Sequence, residues 1–261
     1  MRFAGKTIVV TGSGKARGLG QAILQRFAAE GANCVVSDRE IDAEAESVAA
    51  GLGDRAAAFA CDVSDHEQCT ALVDQSVSRF GSLDIFVNNA GIGFMMTPLL
   101  DVDSADWQRV IGVNLSGAFY GTQAAARAMI AQERGGRIIN IASQAAKTGF
   151  PHMASYVSSK HGMIGLTRAS AIELGTHGIT VNAVCPNHVT TSLGARQNEY
   201  FSKLLGFATV EAYLASMAAK NPMGRPGLAS DTAGTCAWLA SDDAAYITGE
   251  AINVSGGEEM H

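Results

Sequence analysis

The chain has few of the features that mark membrane, secreted or nucleic-acid-binding proteins. Among its 261 residues, no apolar run approaches the ~18 residues that a membrane helix needs. The first residues, MRFAGKTIVV, lack the charged start, apolar stretch and small-residue cleavage site of a signal peptide. The formal net charge of −6 disfavours nucleic acid as a partner. We therefore expect neither a membrane nor nucleic acid among its partners.

The sequence is also poor in spaced cysteine and histidine. Its five cysteines, at positions 34, 61, 69, 185 and 236, include no C-x-x-C pair. An odd number of cysteines without motif spacing is typical of reduced, buried thiols, so we expect a cytoplasmic protein. The six histidines have no metal-ligand spacing, so we expect no metal.

Apolar sequence is plentiful, at 47% of residues, and it is arranged in short runs rich in Val and Ile. These runs predict strands at 6–11, 33–37, 57–60, 84–88, 136–142, 179–184 and 251–254, with helices between them at 18–30, 41–51, 65–80, 103–131, 154–175 and 230–240. This alternation predicts an α/β fold, a doubly wound parallel sheet of about seven strands with helices on both faces. No linker or repeat divides the chain, so a single domain over 1–261 is expected.

One long connection, residues 189–228, interrupts the alternation of strands and helices. Long connections in compact domains are often lids or binding loops. The stretch NEYFSKLLGFATVEAYLASMAAK predicts two short amphipathic helices joined near Gly206. We interpret this segment as a short helical lid over a substrate.

The glycine-rich stretch TGSGKARGLG (11–20) follows the first predicted strand, yet it matches neither common phosphate loop. A P-loop fails because Val9 and Ala16 stand where a glycine and a hydroxyl are needed. The dinucleotide pattern G-x-G-x-x-G fails at Arg17 and at Ile23. The pattern alone is compatible with a tight turn as well as with a nucleotide loop.

The motif YVSSK places Tyr156 and Lys160 four residues apart on a predicted helix, and therefore on one face. A protonated lysine near a phenol lowers the pKa of the phenol. A phenol with a lowered pKa is suited to proton transfer to or from an alcohol oxygen. Alone, the motif also fits a solvated helix face. Ser143 ends a strand thirteen residues earlier, and Asn114 lies mid-helix where its propensity is poor.

With these motifs in order, the chain resembles the short-chain dehydrogenase/reductase family, from GKTIVVTG at 5–12 to ITGEAINVSGG at 247–257. The shared motifs are T-G…G-L-G, an Asp after the second strand, D-V, N-N-A-G, Asn, Ser, Y-x-x-x-K and N-A-V-x-P. Five residues, 13–17, stand where the family loop T-G-x-x-x-G-x-G has three. The resemblance implies a Rossmann-type fold and an NAD(P)-dependent oxidoreductase that acts on CH–OH groups. Within that family, the chain is similar to the NAD-preferring polyol, sugar and secondary-alcohol dehydrogenases.

The resemblance assigns catalytic roles to four residues. Tyr156 is expected to be the general acid/base, and Lys160 to lower its pKa and hold the nicotinamide ribose. Ser143 is expected to stabilise charge on the substrate oxygen, and Asn114 to hold a water in a proton relay.

The resemblance also implies a cofactor site at the carboxyl ends of the strands. Asp62 and Val63 are expected to flank the adenine, and Asn88 to pack against the adenosine. The full set of expected cofactor contacts is Gly12, Ser13, Arg17, Gly18, Leu19, Gly20, Asp38, Arg39, Asp62, Val63, Asn89, Ala90, Gly91, Tyr156, Lys160, Pro186, Val189 and Thr191.

Asp38 decides the expected cofactor. A carboxylate at the end of the second strand binds the ribose hydroxyls and repels a 2′-phosphate, so it favours NAD. The basic residues Arg39, Lys15 and Arg17 leave NADP open.

The segment PNHVTT (186–191) departs from the family, because Asn187 replaces a glycine. Asn187 is either a stand-in for glycine's left-handed backbone or, with His188, a polar wall near the reacting carbon. With Gln144 and His152, these residues predict a small polar alcohol or ketone as substrate, such as a polyol, sugar or hydroxy acid.

Three further expectations come from the resemblance. Ala-rich faces on the helices at 103–131 and 154–175 imply a homotetramer, although they also fit simple coverage of the sheet. The alternative activity is NADPH-dependent reduction of 3-oxoacyl thioesters. A non-catalytic nucleotide-binding regulator is the remaining alternative, disfavoured because all four catalytic residues are present.

Overall fold

The computed structural model describes residues 1–93, 96–189 and 194–260. Seven parallel strands form one sheet in the order β3-β2-β1-β4-β5-β6-β7. The strands are β1 Thr7–Thr11, β2 Asn33–Asp38, β3 Ala56–Ala60, β4 Ile85–Asn88, β5 Gly136–Ile141, β6 Ile179–Pro186 and β7 Ala251–Val254. Every strand predicted from the sequence is present, and the strand order reverses direction between β1 and β4. A crevice for ligands forms at such a switch point.

Helices cover both faces of the sheet, as predicted. They are α1 Leu19–Ala29, α2 Ala43–Gly51, α3 His66–Phe80, α4 Ser104–Ile111, α5 Gly117–Ala131, α6 Ala154–Leu174, α7 Gly194–Leu204, α8 Val210–Lys220 and α9 Ala229–Leu239. The predicted single helix over 103–131 is instead two helices, α4 and α5, joined by a π-helical turn at Gly112–Ser116. The two predicted lid helices are α7 and α8, and they are separated at Gly206.

Alternation along the strands divides the core into two layers. Ile8 and Val10 of β1 pack with α1 and α9 on one face of the sheet. Val9, between them, packs with α3 and α5 on the other face. All five residues of β1 are buried. Burial on both faces explains why these strands are nearly continuous apolar runs.

One carboxylate connects the amino ends of β1 and β4. We call the side of the sheet where the strands begin its amino edge, and the side where they end its carboxyl edge. Asp84, 8% exposed, precedes β4 and accepts hydrogen bonds from the Thr7 backbone N–H at 2.9 Å and the Ser82 hydroxyl at 2.9 Å. Lys6 Nζ donates to it at 3.1 Å, and Arg134 lies 3.6 Å away. These contacts tie together the starts of β1 and β4 at the edge opposite the glycine-rich loop.

Two further features concern the cysteines and the length of the helices. All five cysteines are buried free thiols. Within the described ranges, no helix has the length and apolar character that crossing a membrane requires.

Candidate active site

The glycine-rich loop between β1 and α1 lies directly against the end of β4. Gly12 has φ 61°, and a Cβ there would lie 2.7 Å from the Ala90 Cα, so only glycine fits. Asn89 Nδ2 donates to the carbonyl oxygens of Thr11 and Gly12, at 2.8 and 2.9 Å. The loop is therefore held in place by the N-N-A-G turn that follows β4.

The N-terminus of α1 is left open. Gly18 is its N-cap, Leu19 is its first residue, and no side chain caps it or places an acid in its first turn. Four other helices are capped by side chains, namely those of Asp42, Asp65, Asp103 and Thr209, whereas α5, α6 and α9 have no side-chain cap either. Free N–H groups and a positive dipole end suit a phosphate anion. The glycine cradle and this open helix end therefore fit the pyrophosphate of a dinucleotide.

Lys15 and Arg17, in the lengthened part of the loop, make contacts with different helices. Lys15 Nζ lies 2.6 Å from Asp42 Oδ2 and 3.3 Å from Glu44 Oε2. Arg17 adopts φ 59° with an exposed side chain, and its N–H donates to Gln21 Oε1 at 2.8 Å. The insertion thus directs its lysine to the acidic start of α2.

Asp38 ends β2 half-buried beside the loop. Its carboxylate accepts from the Gly14 N–H at 3.1 Å and from the Arg39 N–H at 2.9 Å. The Arg39 side chain is exposed. A Cβ on Gly14 would lie 2.9 Å from the Asp38 Cβ, so the loop can approach this carboxylate only with glycine at that position.

Two residues expected near the cofactor have side chains that are hydrogen-bonded within the protein. Ser13 is buried; its hydroxyl donates to the Val10 carbonyl at 2.7 Å, and its N–H donates to the Ser37 carbonyl at 2.8 Å. The expectation for Asn88 is wrong, because its amide lies in the core, donating to Thr122 at 3.0 Å and Asn140 at 2.8 Å. Alternation along β4 sends Asn88 and Asn89 in opposite directions.

The remaining expected cofactor contacts are found in several environments. Asp62 is half-buried and accepts from the Ser64 N–H and hydroxyl, whereas Val63 is 8% exposed and packs in the core. Pro186 ends β6, and Val189 bridges to Gly227. Thr191 lies outside the described residues. Gly20 is buried in α1 against Ser13.

Tyr156 and Ser143 meet at this edge from neighbouring elements. Ser143 follows β5 and begins the short helical turn Gln144–Ala146, whereas Tyr156 lies in the first turn of α6. Burial raises the pKa of the Tyr156 phenol, and the hydrogen bond with the Ser143 hydroxyl opposes that rise. In this structure burial therefore dominates the phenol pKa, and the Lys160 charge is not among its causes.

Lys160 is 4% exposed, one helical turn after Tyr156. Its Nζ donates to the Ile141 carbonyl at 2.7 Å and lies 5.7 Å from the centre of the Tyr156 ring. Burial lowers the pKa of Lys160 to about 8. Most Lys160 side chains are therefore protonated at neutral pH, and the proton is held less tightly than in an exposed lysine.

Asn114 is fully buried in the π-helical turn. Its amide exchanges two hydrogen bonds with the Ile92 backbone, both 2.8 Å long, and donates to Ser159 Oγ at 3.1 Å. Ser159 in turn donates to the Tyr156 carbonyl at 2.7 Å. This chain of bonds links the end of β4 to the catalytic helix.

Sequence reasoning did not identify Ser159 or Gly93. A Cβ at Gly93 would lie 2.9 Å from Tyr156 Cε2, so Gly93 is required for the ring to fit. At Gly91, a Cβ would lie 3.4 Å from Asn114 Oδ1 and 3.7 Å from Lys160 Nζ. The signal available in the sequence was the repeated glycine of NNAGIG after β4.

The four residues expected to contact substrate are all bonded to other parts of the chain. Gln144 Nε2 donates to Glu259 Oε2 at 3.2 Å, and Asn187 Nδ2 donates to Glu258 Oε2 at 2.8 Å. His152 adopts φ 62°, and its Nδ1 lies 2.7 Å from the Tyr200 hydroxyl of α7. His188 contacts the Tyr213 ring of α8, and burial lowers its pKa. All four line the junction of sheet, lid and C-terminus.

The wall beside Tyr156 is more apolar than expected. Met153, Phe201 and Tyr213 form a buried cluster, and Tyr156 itself packs against it with other partly buried side chains: Met96, Phe150, Val157, Tyr200, Phe207, Leu214 and Met217. Lid helices α7 and α8 supply most of this cluster. It shields the phenol from water on the lid side.

Comparison with known proteins agrees with this geometry. Residues 12–259 match the family model described as Enoyl-(Acyl carrier protein) reductase. The chain is 37% identical to the sorbitol dehydrogenase of Cereibacter sphaeroides, with 100% of both chains covered. It is 41% identical to 3beta-hydroxysteroid dehydrogenase 1 of Eggerthella lenta, with 98% of this chain and 95% of that one covered.

Among solved structures, NAD⁺-bound xylitol dehydrogenase superposes with a TM-score of 0.92 at 33% identity, covering 98% of this chain and 100% of that one. The matches extend over the whole fold, including the loop, the catalytic helix and the lid. The chain belongs to the short-chain dehydrogenase/reductase family and is an oxidoreductase that uses a nicotinamide cofactor and acts on CH–OH groups.

Proposed function

We propose that the protein is an NAD-dependent dehydrogenase of small polar secondary alcohols, such as polyols, sugars or hydroxy acids. The observation that carries this proposal is the Tyr156 phenol, hydrogen-bonded to Ser143 and shielded by the lid at the carboxyl edge of the sheet. When bound, the nicotinamide cofactor supplies the hydride acceptor or donor.

Tyr156 and Ser143 act on the substrate oxygen. In alcohol oxidation, the Tyr156 phenolate would accept the hydroxyl proton while the substrate carbon lost a hydride to the nicotinamide; in ketone reduction, the Tyr156 phenol would donate a proton to the substrate oxygen. The Ser143 hydroxyl donates to the same oxygen and stabilises its developing negative charge. Burial raises the pKa of Tyr156 and so disfavours the phenolate that oxidation needs, whereas the hydrogen bond with Ser143 opposes that rise before the substrate binds.

Lys160 and Asn114 support the proton transfer. Lys160 would hold the nicotinamide ribose and, with its pKa lowered to about 8, would exchange a proton readily near neutral pH. Asn114 fixes the end of β4 against α6 through Ile92 and Ser159. The π-helical turn around it frees backbone carbonyls that can hold the water of a relay.

Two contacts support NAD over NADP. The half-buried Asp38 carboxylate would repel a 2′-phosphate where the adenosine ribose binds. The Lys15 ammonium is paired with Asp42 and Glu44, so two carboxylates already offset its charge. Only the exposed side chains of Arg17 and Arg39 favour NADP.

The apolar cluster beside Tyr156 favours a second candidate, a bulkier apolar secondary alcohol such as a hydroxysteroid. The 41% identity with a hydroxysteroid dehydrogenase supports the same candidate. The polar residues Gln144, His152, Asn187 and His188 favour the small polar substrate. The description of the matching family model supports an acyl thioester as substrate, whereas the net charge of −6 offers no general basic surface on which an acyl carrier could dock.

The test combines a substrate panel with Tyr156→Phe. Polyols, sugars, hydroxy acids, a 3β-hydroxysteroid and an acetoacetyl thioester are assayed with NAD(H) and NADP(H). We expect turnover of polar alcohols with NAD, and a loss of at least about 10³-fold in kcat for Tyr156→Phe, since no group remains to move the proton. NADH affinity and Tm should stay close to the wild-type values. Turnover restricted to steroids or thioesters, or an active Tyr156→Phe, would contradict the proposal.

We also propose that the protein is a cytoplasmic homotetramer. Phe119 on α5 and Ile172 on α6 are 44% and 82% exposed, although both side chains are large and apolar. Burying them between subunits would remove that apolar surface from water. Light scattering tests this proposal, and a monomeric mass would overturn it.

A further inference from the structure

After β7, residues 255–259 form a turn that we call the C-terminal turn. Gly256 adopts φ 62°, so the turn uses the left-handed backbone that glycine allows. Ser255 closes it, because its hydroxyl donates to the Glu259 carbonyl at 3.1 Å and accepts from the Glu259 N–H at 3.3 Å. Asn253 Nδ2 donates to the same carbonyl at 3.1 Å. The backbone of Glu259 is therefore fixed relative to β7.

The Glu259 side chain extends from this turn to the segment that follows β5. Its Oε2 accepts a hydrogen bond from Gln144 Nε2 at 3.2 Å. Glu259 is 8% exposed, and burying a carboxylate is costly unless it is hydrogen-bonded. The next residue, Met260, is 83% exposed. Hydrophobicity alone would bury the methionine in preference to the glutamate, so the burial indicates a positional role for the carboxylate.

Gln144 is the first residue of the short helical turn that presents Ser143. The Ser143 carbonyl accepts from the Ala146 N–H at 2.9 Å, and its hydroxyl oxygen accepts from the Ala145 N–H at 3.1 Å. The second contact uses a lone pair of the hydroxyl and leaves its proton free to be donated. The place of this turn therefore decides where the Ser143 hydroxyl donates its proton.

Two long side chains connect the serine turn to β7 and to the segment beyond it. Gln144, at the start of the turn, is bonded to Glu259. Lys147, at its end, donates from Nζ to the Ala251 carbonyl of β7 at 2.8 Å. Because Ser143 lies beyond the end of β5, strand pairing does not fix it, and contacts of this kind set its position.

We propose that Glu259 is a positioning residue for the catalytic Ser143. Through the Gln144 amide, it holds the Ser143 hydroxyl beside the Tyr156 phenol. This inference rests on the catalytic role proposed for Ser143 and adds a residue from outside the motifs of the active site. A displacement of about 1 Å in a catalytic group can lower a rate by about 10²-fold. Loss of Glu259 should therefore lower kcat and leave the affinity for the cofactor unchanged.

The test is a double-mutant cycle of Glu259→Ala with Ser143→Ala. The substrate is the alcohol of the panel above that wild-type protein oxidises fastest. With Ser143 present, we expect Glu259→Ala to lower kcat by about 10-fold and to leave KM within about twofold of wild type. In the Ser143→Ala background, the same substitution should have no further effect, because no hydroxyl remains to be misplaced. Equal losses of kcat in the two backgrounds would overturn the proposal, since they would indicate a general structural role.

Three further variants separate the hydrogen bond from the charge. Glutamine keeps an oxygen that can accept from Gln144, so Glu259→Gln should retain kcat within about threefold of wild type. Gln144→Ala should reproduce the loss caused by Glu259→Ala, and the two losses should not add. Glu250→Ala, which removes an exposed acid at the opposite end of β7, is the matched control and should leave kcat unchanged. A loss for Glu259→Gln as large as that for Glu259→Ala would contradict positioning through Gln144.

Amide hydrogen exchange separates this proposal from the proposed function, because it needs no turnover. The N–H groups of residues 146–148 donate to the carbonyls of Ser143 and Gln144. Glu259→Ala should speed their exchange by about threefold or more. Faster exchange together with a fully active Ser143→Ala variant would uphold the positioning contact and contradict the catalytic role of Ser143. Unchanged exchange and unchanged kcat in Glu259→Ala would overturn the proposal and leave the function standing.

Discussion

The two edges of the sheet carry similar polar side chains but use them differently. At the amino edge, Asp84 receives hydrogen bonds from Lys6, Thr7 and Ser82, which hold the strands together. At the carboxyl edge, the Tyr156 phenol lies beside the lid with the Ser143 hydroxyl as its hydrogen-bond partner. The end of α1 at the same edge has no side-chain cap.

This difference separates stability from function. A satisfied polar network lowers the free energy of the folded state, whereas oriented groups with spare hydrogen-bonding capacity are prepared for a ligand. Substitutions at the amino edge should therefore change stability, and those at the carboxyl edge should change catalysis or binding. The following predictions examine this contrast in order of decreasing effect.

The largest effect is expected for Lys160→Met. We expect kcat to fall by about 10²- to 10³-fold, since the ribose contact and proton relay are lost.

The same variant tests the pH dependence of stability. In the wild type, the folded-state pKa of Lys160, about 8, lies below its value of 10.5 when unfolded, so the unfolded chain binds more protons between these values. The free energy of unfolding should therefore rise by about 3 kcal/mol from this group between pH 8 and 10.5. Denaturant titrations should show that rise in wild type relative to Lys160→Met. Equal pH dependence in both proteins would contradict the burial of Lys160.

Asp84→Ala is expected to lower the free energy of unfolding by about 2–3 kcal/mol, because it leaves the buried partners at the start of β1 unpaired. Below the lowered Tm, kcat and KM should remain within about twofold of wild type. Urea denaturation and steady-state kinetics check both parts. A large loss of kcat in folded Asp84→Ala protein would contradict the assignment of stability to the amino edge and of function to the carboxyl edge.

Asp38→Asn is expected to weaken the preference for NAD by about 10- to 100-fold, measured as the ratio of kcat/KM with NAD to that with NADP. The uncharged amide no longer repels a 2′-phosphate, and Arg39 lies next to it. An unchanged ratio would mean that Asp38 does not select the cofactor.

Lys15→Ala is expected to have the smallest effect. Its ion pairs with Asp42 and Glu44 are exposed, so the free energy of unfolding should not change measurably. NADPH affinity should change by less than about threefold. A loss of NADPH binding of tenfold or more would show that the inserted loop reaches the cofactor.

Much of the fold could be predicted because strands buried on both faces leave continuous apolar runs. The π-helical turn at Gly112–Ser116 could not, since a single extra residue barely disturbs the helical pattern. Asn88 was expected beside the adenosine but its amide lies in the core. The alternation of side chains along β4 could have predicted that direction. Gly93 and Ser159 were missed because their roles depend on contacts between β4 and α6. The pairing of Lys15 depends likewise on where α2 begins.

Hydrogen exchange with and without NADH tests the contrast between the two edges most directly. We predict that NADH slows exchange at the carboxyl edge, in residues 11–20, 38–40 and 88–93, and leaves residues 82–85 and 134–137 at the amino edge unchanged. Equal protection of both edges, or protection of the amino edge alone, would contradict the account.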